Sequence, residues 1–260
     1  MRSIGLFFLL CGFYAPIFVF AQPYQVSQKN IPYTLGNATV NIQVYESEKR
    51  NGIVYFNMHD NENTSVEAAL AIIKQYGGTV VALQHTGQRL IQFHFEGVAY
   101  AFDPNRIFTT VGIRATLQRY SQYSAQAEIL IQKMADYIVD EFLLKHNQIV
   151  AIHNNGNSAS YAIYCYYKGG VFERDAADVF YNTTWGTGDF FYTTDLQTFN
   201  FCKSKQISAV LQNDATVTDD GSLAVFASQK GIFYINSEAE HGHLKQQIFM
   251  LEQLQSYLQP

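Results

Sequence analysis

His59 and Glu62 stand three positions apart in VYFNMHDNEN (residues 54–63), where an apolar run gives way to polar residues. An imidazole nitrogen and a carboxylate oxygen both suit zinc, and a turn can bring residues i and i+3 to one centre. The pair alone has a plainer reading: a loop histidine, with Glu62 favoured by the dipole of a following helix. His153 adds to it, ending the apolar run IVAIH (residues 149–153). Two histidines and one carboxylate form a known catalytic zinc set that leaves a fourth position open. A structural histidine at a strand end is the alternative.

The chemistry of such a centre needs helpers. FDPNRIFT (residues 102–109) supplies Asn105 and Arg106. Arg106 can grip a carboxylate with two prongs, and Asn105 can donate a further bond. Asp103 and Arg106 can also simply clamp the turn. Arg89, upstream, offers a guanidinium to an oxyanion. GIFYINSEAEHGH (residues 231–243) carries Glu238 and Glu240. In an extended segment these face the same way, and either can act as proton acceptor or remain a rim acid. His241 and His243 form a weaker second metal possibility with a neighbouring acid.

The elements that must hold these residues alternate between strand and helix patterns. TVNIQVYES, NGIVYFNMH, TVVALQH, RLIQFHFEG, VAYAF and QIVAIHNNG read as strands, as do ISAVLQN, LAVFAS and GIFYINSEAE. SYAIYCYY (residues 160–167) reads as another. The second and sixth runs are apolar on both parities, as a doubly covered strand is. TSVEAALAIIKQYG reads as a helix capped by Thr64 or Ser65 and ended by Gly77 and Gly78. Residues 117–146 lack Gly and Pro and predict one long helix, and residues 244–258 a terminal one. Residues 169–196 read mainly as loop. The expectation is a single α/β domain over residues 22–260, with a central mixed, mainly parallel sheet flanked by helices.

Residues 1–21 carry Arg2, a long apolar run, and Val19 and Ala21 before a cut ahead of Gln22. That is the three-part pattern of a secretory signal peptide, predicting a secreted or periplasmic protein. No later stretch is long and apolar enough for a membrane span. The net charge is −5 and no basic stripe appears, so nucleic acid is not an expected partner. Outside the signal the cysteines are Cys165 and Cys202, free to pair or not in an exported chain.

The ordered set HDNE, NR, AIH and an acid in YINSEAE resembles the zinc carboxypeptidase family of the carboxypeptidase A type. The islands span residues 52–243. The resemblance implies Zn2+ held by His59, Glu62 and His153. It implies a substrate carboxylate at Asn105 and Arg106, an oxyanion arginine at Arg89 by spacing, and a general base at Glu238 or Glu240. Glu238 is favoured because the family glutamate lies at the strand itself. The separation of Glu62 and His153 is shorter than in the digestive enzymes, implying trimmed loops. The family's closing tyrosine has no single match; Tyr181 and Tyr192 lie in the loop-rich region. The implied activity is hydrolysis of an amide bond beside a free carboxylate, first in a peptide with a free C-terminus, including cell-wall peptides, with an amidase or deacylase of N-acyl amino acids as the alternative. A noncatalytic extracytoplasmic binding protein that kept the cleft is the competing reading.

Overall fold

The computed structural model describes residues 22–156 and 161–259; residues 1–21, on which the expected signal peptide falls, lie outside the described residues. The fold is organised by strands that bury both faces. In β3 (Ile53–Asn57) and β7 (Gln148–Asn155), successive side chains enter opposite cores. Val54, Phe56, Ile149 and Ala151 join one apolar cluster, while Ile53, Tyr55, Val150 and Ile152 join the other. A period of two with both faces covered produces the uninterrupted apolar runs in the sequence.

The remaining strands are β1 (Val26–Leu35), β2 (Ala38–Ser47), β4 (Thr79–Gln84), β8 (Ala176–Phe180), β9 (Phe190–Thr193), β10 (Ala209–Gln212) and β11 (Tyr234–Glu240). They join β3 and β7 in one sheet of order β1-β2-β4-β3-β7-β11-β9-β10-β8. Strands β4, β3, β7 and β11 run parallel at its centre. Antiparallel pairs extend it at both flanks, although β9 and β10 run parallel. A separate hairpin joins β5 (Ile91–Phe95) to β6 (Val98–Phe102). Helices α1 (Asn63–Tyr76), α4 (Leu196–Ser204) and α6 (Leu244–Leu258) cover one face. The other is covered by α2 (Thr110–Tyr120), α3 (Ala125–Ile138) and α5 (Leu223–Lys230). The expected mixed α/β architecture is present.

Several local expectations are corrected. The long helix at 117–146 is two helices. Ser124 breaks the run by capping α3, its hydroxyl accepting the Ala127 N–H at 3.0 Å. A π turn over Val139–Leu143 then extends α3. LAVFAS is the helix α5 rather than a strand: Ser222 caps its start, and Gly231, at φ 64°, ends it in the left-handed region. Of SYAIYCYY, residues 163–166 form a 3-10 turn. Its aromatic residues pack on β9, with the Tyr166 ring 6.1 Å from Phe190 and 5.4 Å from Tyr192. Aromatic strand propensity reflects packing on a pleated surface, and ring contacts satisfy it here without a ladder. The region 169–196 contains β8 and β9 besides loops. Cys165 and Cys202 are buried and are not joined by a disulfide. Among the described residues no helix is long and apolar enough to cross a membrane.

One close approach fixes the rim of the sheet's C-terminal edge. A Cβ on Gly112, in the first turn of α2, would lie 2.2 Å from Gly221 Cα and 2.7 Å from the Arg106 carbonyl oxygen. Backbone blocks it on both sides. Gly112→Ala is therefore expected to destabilise the fold by about 1–3 kcal/mol through overpacking. A lower urea midpoint checks this; an unchanged midpoint contradicts it.

Candidate metal centre

The parallel strands end together, where open α/β sheets place their sites. After β3 the chain turns sharply: the Glu62 N–H donates to the His59 carbonyl at 3.0 Å. Asn57 Nδ2 donates to Ser65 Oγ at 3.0 Å, and that hydroxyl donates to the Glu62 carbonyl at 2.8 Å. Asn154 ties the turn to β7. Its N–H donates to Glu62 Oε2 at 3.0 Å, while its side-chain oxygen accepts the Ser65 N–H at 2.7 Å. These bonds hold His59 and Glu62 against His153, and all three are buried.

At the centre, His59 Nδ1 stands 2.8 Å from Glu62 Oε1, and His153 Nδ1 stands 2.9 Å from Glu62 Oε2. The two Nδ1 atoms are 3.2 Å apart. On the far side of the His59 ring, Nε2 lies 2.8 Å from Asp103 Oδ1. A proton on Nε2 makes that contact a charge-assisted bond and leaves the Nδ1 lone pair facing inward. The inward Nδ1 of His59, the His153 Nδ1 and the Glu62 carboxylate thus converge on one point, an arrangement a bound cation would satisfy.

Charge dominates the site. Burial alone pushes the Glu62 carboxyl up, but the charges of His59 and His153, with their hydrogen bonds, hold it well below the usual carboxylate range. Burial likewise opposes ionisation of Asp103, and the His59 hydrogen bond and charge, with Arg89 and Arg106, more than reverse it. Burial disfavours the His59 imidazolium, yet Glu62 and Asp103 together raise its pKa above the ordinary 6.5.

The donor set fits a divalent cation. One ligand atom from each of His59, Glu62 and His153 lies within 4.8 Å of the others. Tetrahedral zinc with bonds of about 2.0–2.1 Å places its ligand atoms about 3.3–3.4 Å apart. The two Nδ1 atoms, 3.2 Å apart, are close to that spacing, and each meets a different oxygen of Glu62, at 2.8 Å and 2.9 Å. Asp103 supplies the outer carboxylate that orients a ligating histidine. Its side chain does more than clamp a turn, although it also accepts the Asn105 N–H at 2.9 Å.

A cleft of about 550 Å³ opens beside the centre and includes Glu62, Arg89, Asn105, Arg106, His153 and Glu238 in its lining. Arg89, half-exposed, bridges the two anions: Nη1 donates to Glu62 Oε1 at 2.8 Å and Nε to Asp103 Oδ2 at 3.3 Å, with Nη2 3.2 Å from the same oxygen. Arg106 turns from Asp103 toward Asp220, with Nη2 3.3 Å from Oδ2 and Nη1 donating to the Asn105 carbonyl at 2.7 Å. The Asn105 side-chain oxygen accepts the Leu223 N–H at 3.3 Å. Glu238 is paired in register with His153 across β11 and β7, so both project from the same face of the sheet. Glu240 lies one pleat further on, 3.7 Å from His243 Nε2 and outside the cleft lining. His243 Nδ1 approaches Asp189 Oδ2 at 3.0 Å, and His241 is exposed. Among the described residues these histidines form no three-ligand set. Tyr192 lines the cleft, whereas Tyr181 donates to the Trp185 carbonyl and does not.

No family model and no curated protein matches the chain. Solved structures do. The chain is similar to a succinylglutamate desuccinylase/aspartoacylase from Rhodobacter sphaeroides at 13% identity, with a TM-score of 0.47, over 94% of this chain and 68% of that one. It is similar to an ectoine utilization protein from Ruegeria pomeroyi at 9% identity and TM-score 0.46, over 94% and 70% of the two chains. It is also similar to a murein-tripeptide amidase from Escherichia coli O157 at 12% identity and TM-score 0.45, over 92% and 94%.

The raised His59 pKa gives a pH dependence of definite sign. Without metal, the His59 proton contributes stability fully below about pH 6.5, and this is lost as pH rises through the raised folded value. A cation must displace that proton, so metal affinity should rise with pH, approaching about tenfold per unit for one displaced proton. Chelator competition between pH 6 and pH 8 measures it. Affinity independent of pH across that window contradicts it.

Proposed function

We propose that this protein is a zinc-dependent hydrolase of an amide bond beside a free carboxylate. The observation that carries this reading is the buried His59–Glu62–His153 set opening onto a cleft that also holds Glu238, Arg89 and Arg106. Two histidines and a carboxylate favour zinc among the common divalent ions. Bound there, zinc would polarise the scissile carbonyl as a Lewis acid and ease deprotonation of water.

The chain's own residues supply the rest. Glu238 takes the proton from the attacking water and passes it to the leaving amine. Its place in the cleft, beside His153, favours turnover over binding alone. Arg89 offers its guanidinium to the growing negative charge on the carbonyl oxygen. Arg106 receives the substrate carboxylate, which takes over the place of Asp220 on the guanidinium. Asn105 shapes that corner by holding the Leu223 backbone.

A cleft of about 550 Å³ is of small-molecule size. It suits an N-acyl amino acid first and a short peptide with a free C-terminus second, and an exported protein would meet cell-wall peptides of that kind. Export rests on the signal pattern of residues 1–21. N-terminal sequencing of the exported chain should begin at Gln22; an uncleaved cytoplasmic chain contradicts it.

A panel of N-acyl amino acids and dipeptides, each beside its carboxyl-blocked amide, tests the function. The free-carboxylate members should be cleaved and the blocked ones poorly. Glu238→Gln should cost about 100- to 10,000-fold in kcat. Arg89→Ala should cost about 100- to 1,000-fold with zinc still bound. Full activity in either variant, or equal cleavage of blocked substrates, overturns the reading.

A further inference from the structure

Glu238 is held differently from the two acids packed on His59. Glu62 and Asp103 are gripped by Arg89 and by histidines. Glu238 has no ion-pair partner within 4 Å among the described residues; its two oxygens meet neutral carboxamides. Asn236 Nδ2 donates to Oε1 at 2.9 Å, and Asn155 Nδ2 donates to Oε2 at 3.4 Å. All three side chains are buried and line the cleft.

Sheet register places them. Asn236 precedes Glu238 by two residues on β11, so both project from one face. His153 is the register partner of Glu238 on β7, and Asn155 follows it by two residues on the same face. A pleated face thus carries the acid between two amides and beside a metal-ligand candidate. Asn155 is itself seated: its Nδ2 also donates to the Gly188 carbonyl at 2.8 Å. That nitrogen faces two acceptors, which fixes which way the amide points. Gly188 permits the approach, since a Cβ there would lie 2.5 Å from Asn155 Oδ1.

A general base has two needs that conflict. It must be kept in one orientation, and it must be able to take up a proton. A cationic clamp serves the first and opposes the second, because it favours the anion. Neutral donors orient the carboxylate without adding a positive charge beside it. Leaving a buried carboxylate without donors would cost more than losing an ordinary bond, so the amides are tied to the acid energetically as well.

We propose that Asn236 and Asn155 are positioning residues that hold Glu238 in the orientation its role as base requires. This rests on the proposed function, in which Glu238 handles the proton. Asn236 has the shorter bond and should matter more than Asn155.

The test is a double-mutant cycle in the zinc-loaded full chain, on the substrate cleaved fastest in the panel. Asn236→Ala should lower kcat about 10- to 100-fold, the scale of a misplaced reacting group, with KM and zinc per chain unchanged. Asn155→Ala should lower kcat less. In a Glu238→Gln background, Asn236→Ala should add about twofold or less, since residues acting as a unit are not additive. A full further loss in that background overturns the proposal. Unimpaired Glu238→Gln enzyme instead overturns the reading of the base on which it rests. A readout free of turnover is the crystal structure of zinc-loaded Asn236→Ala. Glu238 should leave its parental rotamer or split between two; a single unchanged rotamer overturns the proposal. If Asn236→Ala does not fold, Asn155→Ala, on the other strand, is put to the same cycle and the same structural test, with the same outcomes.

Discussion

Two imidazole Nδ1 atoms stand 3.2 Å apart, facing the two oxygens of one buried carboxylate. Much of the local architecture serves to hold these buried polar groups together. Parallel strands β3 and β7 bring His59 and His153 to one edge. Asn57, Ser65 and Asn154 pin the turn that carries Glu62. Asp103 fixes the outer nitrogen of His59, and Arg89 braces both carboxylates. The turn bearing Asp103 is kept in place through Arg106 and the glycine contact between α2 and the loop before α5.

The cleft sorts its acids by the partners they are given. Glu62 and Asp103 are held below the usual carboxylate range by charged neighbours and serve as fixed anions. Asp220 pairs with Arg106, its Oδ2 3.3 Å from Nη2. Glu238 alone of these four has no ion pair among the described residues and is held by side-chain amides. One cleft thus gathers Glu62 and His153, Arg106 with Asp220, and Glu238 with its two asparagines.

The sequence makes the centre legible because strand ends are legible. Doubly apolar runs such as IVYFN and IVAI can hardly lie anywhere but mid-sheet, so the histidines after them fall on its rim. The terminal helix is similarly explicit, an amphipathic run bounded on both sides. Features decided by tertiary contact were not legible. LAVFAS has strand-like residues, and its helix depends on a cap and a left-handed glycine at its ends. The 3-10 turn at residues 163–166 packs its Tyr166 ring on Phe190 and Tyr192 of β9. Strand β1 pairs with β2 as a long hairpin at the sheet edge, where its exposed, polar face gives little apolar pattern to read. Asp103 read as a turn residue because its partner His59 is 44 positions away. Glu238 and Glu240 share a parity, so only the extent of the cleft distinguishes them.

The central claim is that His59, Glu62 and His153 hold a metal ion. Metal content per chain in freshly purified protein, measured beside His153→Ala, tests it most directly. The account predicts about one zinc per parent chain, as a three-ligand catalytic site takes, and far less in the variant. A parent chain that carries no metal, even after incubation with zinc, would contradict it.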